Sequence, residues 1–303
     1  MARMRARKRG WIGRTIGWVV KGVFLFILVS LGWVLLYRFV NPPLTLTMAG
    51  DMIGGRSVTR EWMSLERIDR DMVRAAIAAE DSKFCSHRGF DQDAIAAAMR
   101  RNARGGSVIR GGSTISQQTA KNAFLWQGGG YFRKGLEAWS TLLIENLWDK
   151  RRIMEVYLNI AETGIATYGV NAGAQRYFGH DASAMSRVEA ARIAAVLPLP
   201  KKRGATAPKG FTRRYGNAIT ARVSVVAREG LDACVYAGEA APREAPEPKA
   251  PGPKKAAPAR KAAPPPPAGL PGEEYERPAA GVLPEPAPEP APAPVPEGEA
   301  NAQ

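Results

Sequence analysis

Two cysteines and two histidines are all that the 303-residue chain offers as thiol or imidazole ligands. No CxxC and no Cys/His ligand spacing occurs, which counts against a zinc site. Cys85 and Cys234 read as buried free thiols; a disulfide would need an oxidising compartment and a proximity that the sequence does not express. The chain also lacks Gx4GK[ST], HExxH and GxSxG, as well as the SxxK and KTG of penicillin-binding enzymes. Phosphate-loop nucleotide chemistry, zinc hydrolysis and acyl-serine transfer all lose their best support. Acidic residues are scarce, 28 against 43 Lys and Arg, for a net charge of +15. No zinc-finger spacing, RNP-like aromatic motif or helix-turn-helix signature accompanies that charge, so nucleic acid is not the expected partner. An anionic membrane surface or an anionic substrate fits it better.

What the chain does have is one long apolar run. Residues 22–40, GVFLFILVSLGWVLLYRFV, would span about 28 Å as a helix, close to the roughly 30 Å of a hydrocarbon core. Seven basic residues up to Lys21 precede it, and Arg38 near its end can snorkel outward. The run is too long for a signal-peptide core, and NPPLTLTMAG after it offers no small-x-small cleavage site. The expectation is an uncleaved single-pass anchor, with the N-terminus cytoplasmic and the rest of the chain outside the cytoplasmic membrane. Composition then divides the chain into a basic segment (1–21), the transmembrane helix (22–40), a folded domain (41–237) and a Pro/Ala-rich tail (238–303). The tail buries too little apolar area to offset its ordering entropy and reads as disordered.

Within the domain the periodicity is mostly 3.6, so the predicted class is mainly α; the only strand signal is a short pair near residues 44–60. Val73, Ile77, Glu80 and Phe84 are spaced 4, 3 and 4, on one helical face. Asp91 is placed to cap a helix that stops at Gly105 and Gly106, and Ser113 to cap TISQQTAKNAF. A helix over about residues 132–148 is apolar on two stripes, which predicts a central position. Further helices are expected over about 150–161 and 212–229, and Ser186 with Glu189 forms a capping box for the one between them.

Four stretches carry candidate chemistry. Glu80 interrupts the apolar stripe of its helix. A lone carboxylate there should have a raised pKa, suiting a general base or acid, unless Arg74 or Arg133 pairs with it. Asp81 points about 100° away and can cap or pair, and His87 reads as a structural hydrogen-bonder. In RGGSTISQQTAKN, two glycines precede a helix that carries Ser113, Gln117 and Lys121 at i, i+4, i+8, with Gln118 and Asn122 on the adjacent row. This can be an anion-binding corner or a solvated polar face. In FRKGLE, Arg133 and Glu137 face each other at i, i+4. FLWQGGGYF sets three glycines among apolar side chains and suits contact with a lipid surface or an ordinary turn.

Taken together, EDSKFCSHRGFD, GGSTISQQTAKN, RKGLE, KRRIMEVYLNIAETG and RYFG with EAARIAAVLPLP resemble, in order and spacing, the five motifs of the monofunctional biosynthetic peptidoglycan glycosyltransferases. The likeness covers about residues 60–205. Ser116, Thr119 and His180 depart from the family's usual residues, and the missing SxxK makes the resemblance monofunctional. The resemblance implies a lysozyme-like, two-lobed helical domain that polymerises lipid II: the GlcNAc 4-hydroxyl of one molecule attacks MurNAc C1 of the growing chain and releases undecaprenyl pyrophosphate. It implies Glu80 as general base and Glu137 as the second acid, near the pyrophosphate or a metal on it. Lys121, Arg133 and Lys134 would neutralise the pyrophosphate. Ser113, Gln118 and Asn122 would position the donor, with Asp81 and Phe84 completing the substrate contacts. No cofactor is obligatory in this reading, although a divalent cation (Mg2+ or Mn2+) at the pyrophosphate is compatible with it, and no residue is assigned to a metal. Cell-division proteins or penicillin-binding proteins are the candidate protein partners. The competing readings are a lysozyme-like lytic hydrolase and a non-catalytic membrane-anchored scaffold that works through its tail.

Overall fold

A computed structural model describes residues 2–104 and 111–237. The Gly105–Gly106 helix stop and the tail from residue 238 lie outside the described residues. As the periodicity requires, the protein is mainly helical. Helix α1 runs unbroken over Ala2–Phe39, well beyond the expected 22–40. Its apolar part, Gly13–Phe39, is long enough to cross a membrane and is almost entirely exposed.

The segment read as strand begins instead with helix α2, Leu46–Ile53, because the Thr45 hydroxyl accepts the Met48 N–H and caps it. Only Thr59–Arg60, β1, is extended. It pairs in parallel with β3, Thr167–Tyr168, which pairs antiparallel with β2, Glu162–Gly164. Helices α3 (Arg70–Glu80), α4 (Gln92–Ala103) and α5 (Ile115–Phe124) follow β1. Next come α6 (Gly130–Leu147) and α7 (Lys150–Ile160). After the small sheet come α8 (Val170–Phe178), α9 (Arg187–Val196) and α10 (Gly210–Arg228). Asp91 and the Ser186/Glu189 box cap α4 and α9 as expected. The cap of α5 is Thr114, not Ser113: Thr114 and Gln117 form a reciprocal box. That leaves Ser113 exposed at the mouth of the site.

The core is built around α7, of which every residue from Val156 to Ile160 is buried, and around α3 packed against α9 and α10. The helix predicted to be central, α6, is a flank. Its buried stripe is Glu137, Ser140, Thr141 and Ile144, while Tyr131, Phe132 and Leu142 are exposed. It is covered on one side by α5 and on another by α1, which lies along it: Trp139 sits near Phe26 and donates to the Ser30 hydroxyl at 3.1 Å.

The two cysteines are not free. Cys85, just past α3, and Cys234, just past α10, form a disulfide with Cα atoms 5.4 Å apart. Packing of α3 on α10 makes the meeting possible, and Arg74 holds Asp232 at 2.9 Å beside it. A separation of 149 residues hid this from the sequence.

Gly169, between β3 and α8, is needed for its backbone. Its φ is +86°, and a Cβ there would lie 2.9 Å from the Asn159 carbonyl oxygen.

Candidate active site

Glu80 is the last residue of α3, because Asp81 turns extended (φ −160°, ψ 76°) and ends the helix. Phe84 therefore lies on the following turn rather than on the helical face. One Glu80 oxygen, Oε2, accepts from Gln118 Nε2 at 2.9 Å. The other, Oε1, is sealed from solvent and has no partner. Neither arginine considered as a counter-ion reaches it: Arg74 serves Asp232 and Asp71, and Arg133 serves Glu137. Burial raises the Glu80 pKa, and Gln118, Arg203 and Lys121 only partly oppose it. A buried carboxylate with one satisfied oxygen is a competent proton acceptor.

Asp81 lines a cavity beside Glu80 and is also tied into the protein. Its carboxylate accepts the Ile115 N–H at 2.9 Å and the His87 Nε2–H at 2.9 and 3.0 Å. His87 Nδ1 accepts from the Gly89 N–H at 3.1 Å, which fixes the tautomer and makes the histidine structural. Asp81 thus pins the start of α5 to the end of α3, and the Thr114 hydroxyl adds a 2.7 Å bond to the Gly89 carbonyl. Phe84 is likewise structural. It is fully buried, with the Lys150 ammonium 4.6 Å from its ring centre, and presents no surface to a ligand. The three departures from the motifs are also structural. Ser116 donates to Glu145, Thr119 to the Ile115 carbonyl at 2.8 Å, and His180 meets Glu189 at 3.3 Å.

The second cluster comes from α5 and α6. Glu137 is 2 % exposed, and its two oxygens take Arg133 Nη1 at 2.8 Å and Lys134 Nζ. Lys134 also reaches the Ser113 hydroxyl at 3.2 Å. Burial lowers the Lys121 pKa; Arg133 and Lys134 push the same way, while Glu137 and Glu80 oppose them. Lys121 therefore lies in the field of both carboxylates and links the Glu80 side to the Arg133/Lys134/Glu137 side. Gln118 joins Glu80 directly, whereas Asn122 sits half-buried on α5 beside Lys121. The positive groups outnumber the one carboxylate among them, so the cluster is built to receive an anion.

A metal at that anion would find a single carboxylate, Glu137, with both oxygens already engaged by cations. Among the described residues no group of three His, Cys, Asp or Glu side chains converges. These side chains do not by themselves build a divalent-cation site.

Sequence reasoning missed the groups behind Glu80. Arg203, after α9, and Tyr215, on α10, both lie in its field, and the Tyr215 hydroxyl donates to the Ala79 carbonyl at 2.9 Å. Tyr157, on α7, is fully buried with an unpartnered hydroxyl, and Glu80 contributes to its raised pKa. Tyr157 lies within the KRRIMEVYLNIAETG stretch and the other two outside any motif read as chemistry; they gather about Glu80 because α10 packs on α3 and α7 packs on α5. A cavity of about 420 Å³ opens beside Glu80, lined by Ala79, Ser82 and, from α10, Arg222 and Val225. Gln118, Lys121, Arg133, Lys134 and Glu137 do not line it, so it is separate from the cation cluster.

Residues 48–227 match the family model described as Transglycosylase. A protein of Caulobacter vibrioides named biosynthetic peptidoglycan transglycosylase is 48% identical over 202 residues, covering 67% of this chain and 88% of its own. Proteins of the same name from Xanthomonas campestris pv. campestris and Rhodospirillum centenum are each 46% identical. They cover 66% of this chain and 84% and 86% of their own lengths.

Proposed function

The chain belongs to the transglycosylase family of peptidoglycan biosynthesis, and on that premise we propose that Glu80 is its catalytic base and that Lys121, Arg133 and Lys134 receive the departing pyrophosphate. The protein is a monofunctional peptidoglycan transglycosylase, acting on lipid II and the growing glycan.

In the proposed step the 4-hydroxyl oxygen of the acceptor GlcNAc forms a bond to MurNAc C1 as the bond from C1 to the pyrophosphate oxygen breaks. Glu80 takes the hydroxyl proton. The pyrophosphate leaves as an anion and needs no acid, unlike the sugar leaving group of a hydrolase. It needs cations held in a desolvated cleft, where their charge acts strongly. Glu137, engaged by Arg133 and Lys134, keeps these cations in place. Ser113, Gln118 and Asn122 are the proposed donor-positioning groups.

One observation supports this assignment above the others: the buried, half-satisfied Glu80 carboxylate shares an electrostatic neighbourhood, through Lys121, with three cations that hold only one acid among them. The lytic reading explains a raised Glu80 pKa equally well but gives the cations no task. The scaffold reading explains neither.

The apolar helix fits a single-pass anchor. The proposed membrane is the bacterial inner membrane, with the catalytic domain outside the cytoplasm. The basic flank of α1 supports that orientation, and so does the disulfide, which persists in oxidising compartments. The exposed Tyr131 and Phe132 at the start of α6 are proposed to meet the lipid surface.

The decisive test supplies the purified full chain with labelled lipid II and resolves the products on a gel. Long, lysozyme-sensitive strands are expected from the wild type and none from Glu80→Gln. In a parallel incubation with finished wall no release is expected; soluble muropeptides from it would restore the lytic reading.

A further inference from the structure

The end of α1 is fastened to the domain by polar contacts. Arg152, on α7, donates to the Tyr37 carbonyl at 3.1 and 2.8 Å, to the Val40 carbonyl at 3.0 Å and to Asn41 Oδ1 at 2.8 Å. Trp148 Nε1 donates to the Val34 carbonyl at 2.9 Å. Residues 41–43 therefore leave the helix at a fixed place, where a spanning helix would emerge from hydrocarbon into the headgroup layer.

A cavity of about 400 Å³ opens there, lined by Asn41, Pro42, Pro43, Arg60 and Trp62. Two guanidinium groups approach Trp62, that of Arg60 at 5.1 Å and that of Arg152 at 5.7 Å from a ring centre. The charge of Arg152 is met by Glu155 at 2.8 Å. Arg60 is different. Its Nη1 donates to the Pro43 carbonyl at 2.8 Å, its Nε is sealed from solvent without an acceptor, and no carboxylate pairs with it among the described residues. Desolvation lowers its pKa, the mark of a cation without a counter-charge. Asn41 Oδ1 is taken by Arg152, which leaves its amide nitrogen as a second donor group in the lining. The prolines contribute no N–H to compete.

We propose that this cavity binds the phosphate of an anionic phospholipid headgroup, with Arg60 as its charged ligand and Asn41 as its neutral one. With Nε sealed and Nη1 on the Pro43 carbonyl, Nη2 is the Arg60 donor left for a phosphate oxygen, and the guanidinium charge strengthens that bond. A lipid is the chosen source because the cavity sits where α1 ends. The site holds the domain at a set height on the membrane and lies outside the catalytic cluster. The inference rests on α1 spanning a bilayer.

The test reconstitutes the full chain in neutral phosphatidylcholine nanodiscs, and in the same discs containing phosphatidylglycerol, and counts retained lipids by native mass spectrometry. Wild type is expected to keep one phosphatidylglycerol, and Arg60→Gln to lose it by about tenfold or more, the worth of one charge-assisted hydrogen bond. Arg60→Lys, which keeps the charge, should retain an intermediate share and guards against a misfolded Gln variant. Lipid II polymerisation in neutral discs should be the same in all three. Equal retention by wild type and Arg60→Gln would overturn the site. Displacement of the lipid by millimolar inorganic phosphate would overturn the lipid as its source. Failure of wild type to enter neutral discs would overturn the anchor, and this site with it.

Discussion

Glu80 is useful because it is incompletely satisfied. Replacing it with Gln keeps the Gln118 contact within reach and removes the proton acceptor, so turnover should fall by about 10²–10⁴-fold, the usual worth of a general base, while lipid II binding persists. Wild-type turnover in that variant would remove the base assignment. The raised pKa also fixes two pH dependences. A base works ionised, so the acid limb of the rate profile should lie above the ordinary carboxylate value. For stability the sign is the opposite of a salt-bridged acid: the folded pKa lies above the unfolded one. The protonated form therefore stabilises the fold below the unfolded pKa, and this contribution is lost as pH rises through the folded value. Thermal melts should accordingly show Glu80→Gln gaining on wild type as pH rises through that window, and a pH-independent gap would contradict the burial argument. Lys121→Ala removes the cation between the two carboxylates. Its rate should drop about 10²–10³-fold with weakened donor binding, and an unchanged rate would argue against a pyrophosphate clamp.

Elements matter here mainly through their ends. α3 stops where Asp81 can receive the Ile115 N–H, and α5 begins where Thr114 can cap it and reach Gly89. These joints set Glu80 against Gln118 and Lys121. Thr114→Ala should cost about 1 kcal/mol from the lost cap. Asp149 caps α7 by accepting the Arg152 N–H at 2.7 Å and is exposed. Thr114→Ala should lower the rate more than Asp149→Ala; denaturant melts and polymerisation assays on the two variants would reveal equal rate effects if the joint were unimportant. The α7 end depends on Asn159, whose side chain accepts the Met63 N–H at 2.8 Å and donates to the Met63 carbonyl at 2.9 Å.

For the whole molecule, the disulfide joins the turn after Glu80 to the segment after α10 across 149 residues. Removing it as Cys85→Ser with Cys234→Ser should destabilise the domain by about 2–5 kcal/mol, read as a lowered denaturation midpoint, and reductant should reproduce the shift in wild type but not in the variant. Insensitivity of wild type to reductant, with no free thiols to begin with, would mean that the segment is held by the Arg74–Asp232 pair and the packing of Val235 alone. Deletion of residues 239–303 should leave polymerisation intact, and loss of activity would show the tail to be part of the working domain.

What the sequence determined by itself was whatever is local or periodic. The helical class followed from 3.6-residue spacing, the caps at Asp91 and Ser186 from neighbouring residue types, and the apolar helix from the length of one run. Glu80 stood out because a carboxylate broke an apolar stripe, and the ordered motifs carried the family. Tertiary structure alone decided what depends on distant segments meeting. It joined Cys85 to Cys234, placed Arg203, Tyr157 and Tyr215 around Glu80, and gave Asp81 and Phe84 supporting contacts. It also moved α6 from the centre to the flank, because hydrophobic periodicity reports that a face is covered and not whether the core, a neighbouring helix or lipid covers it.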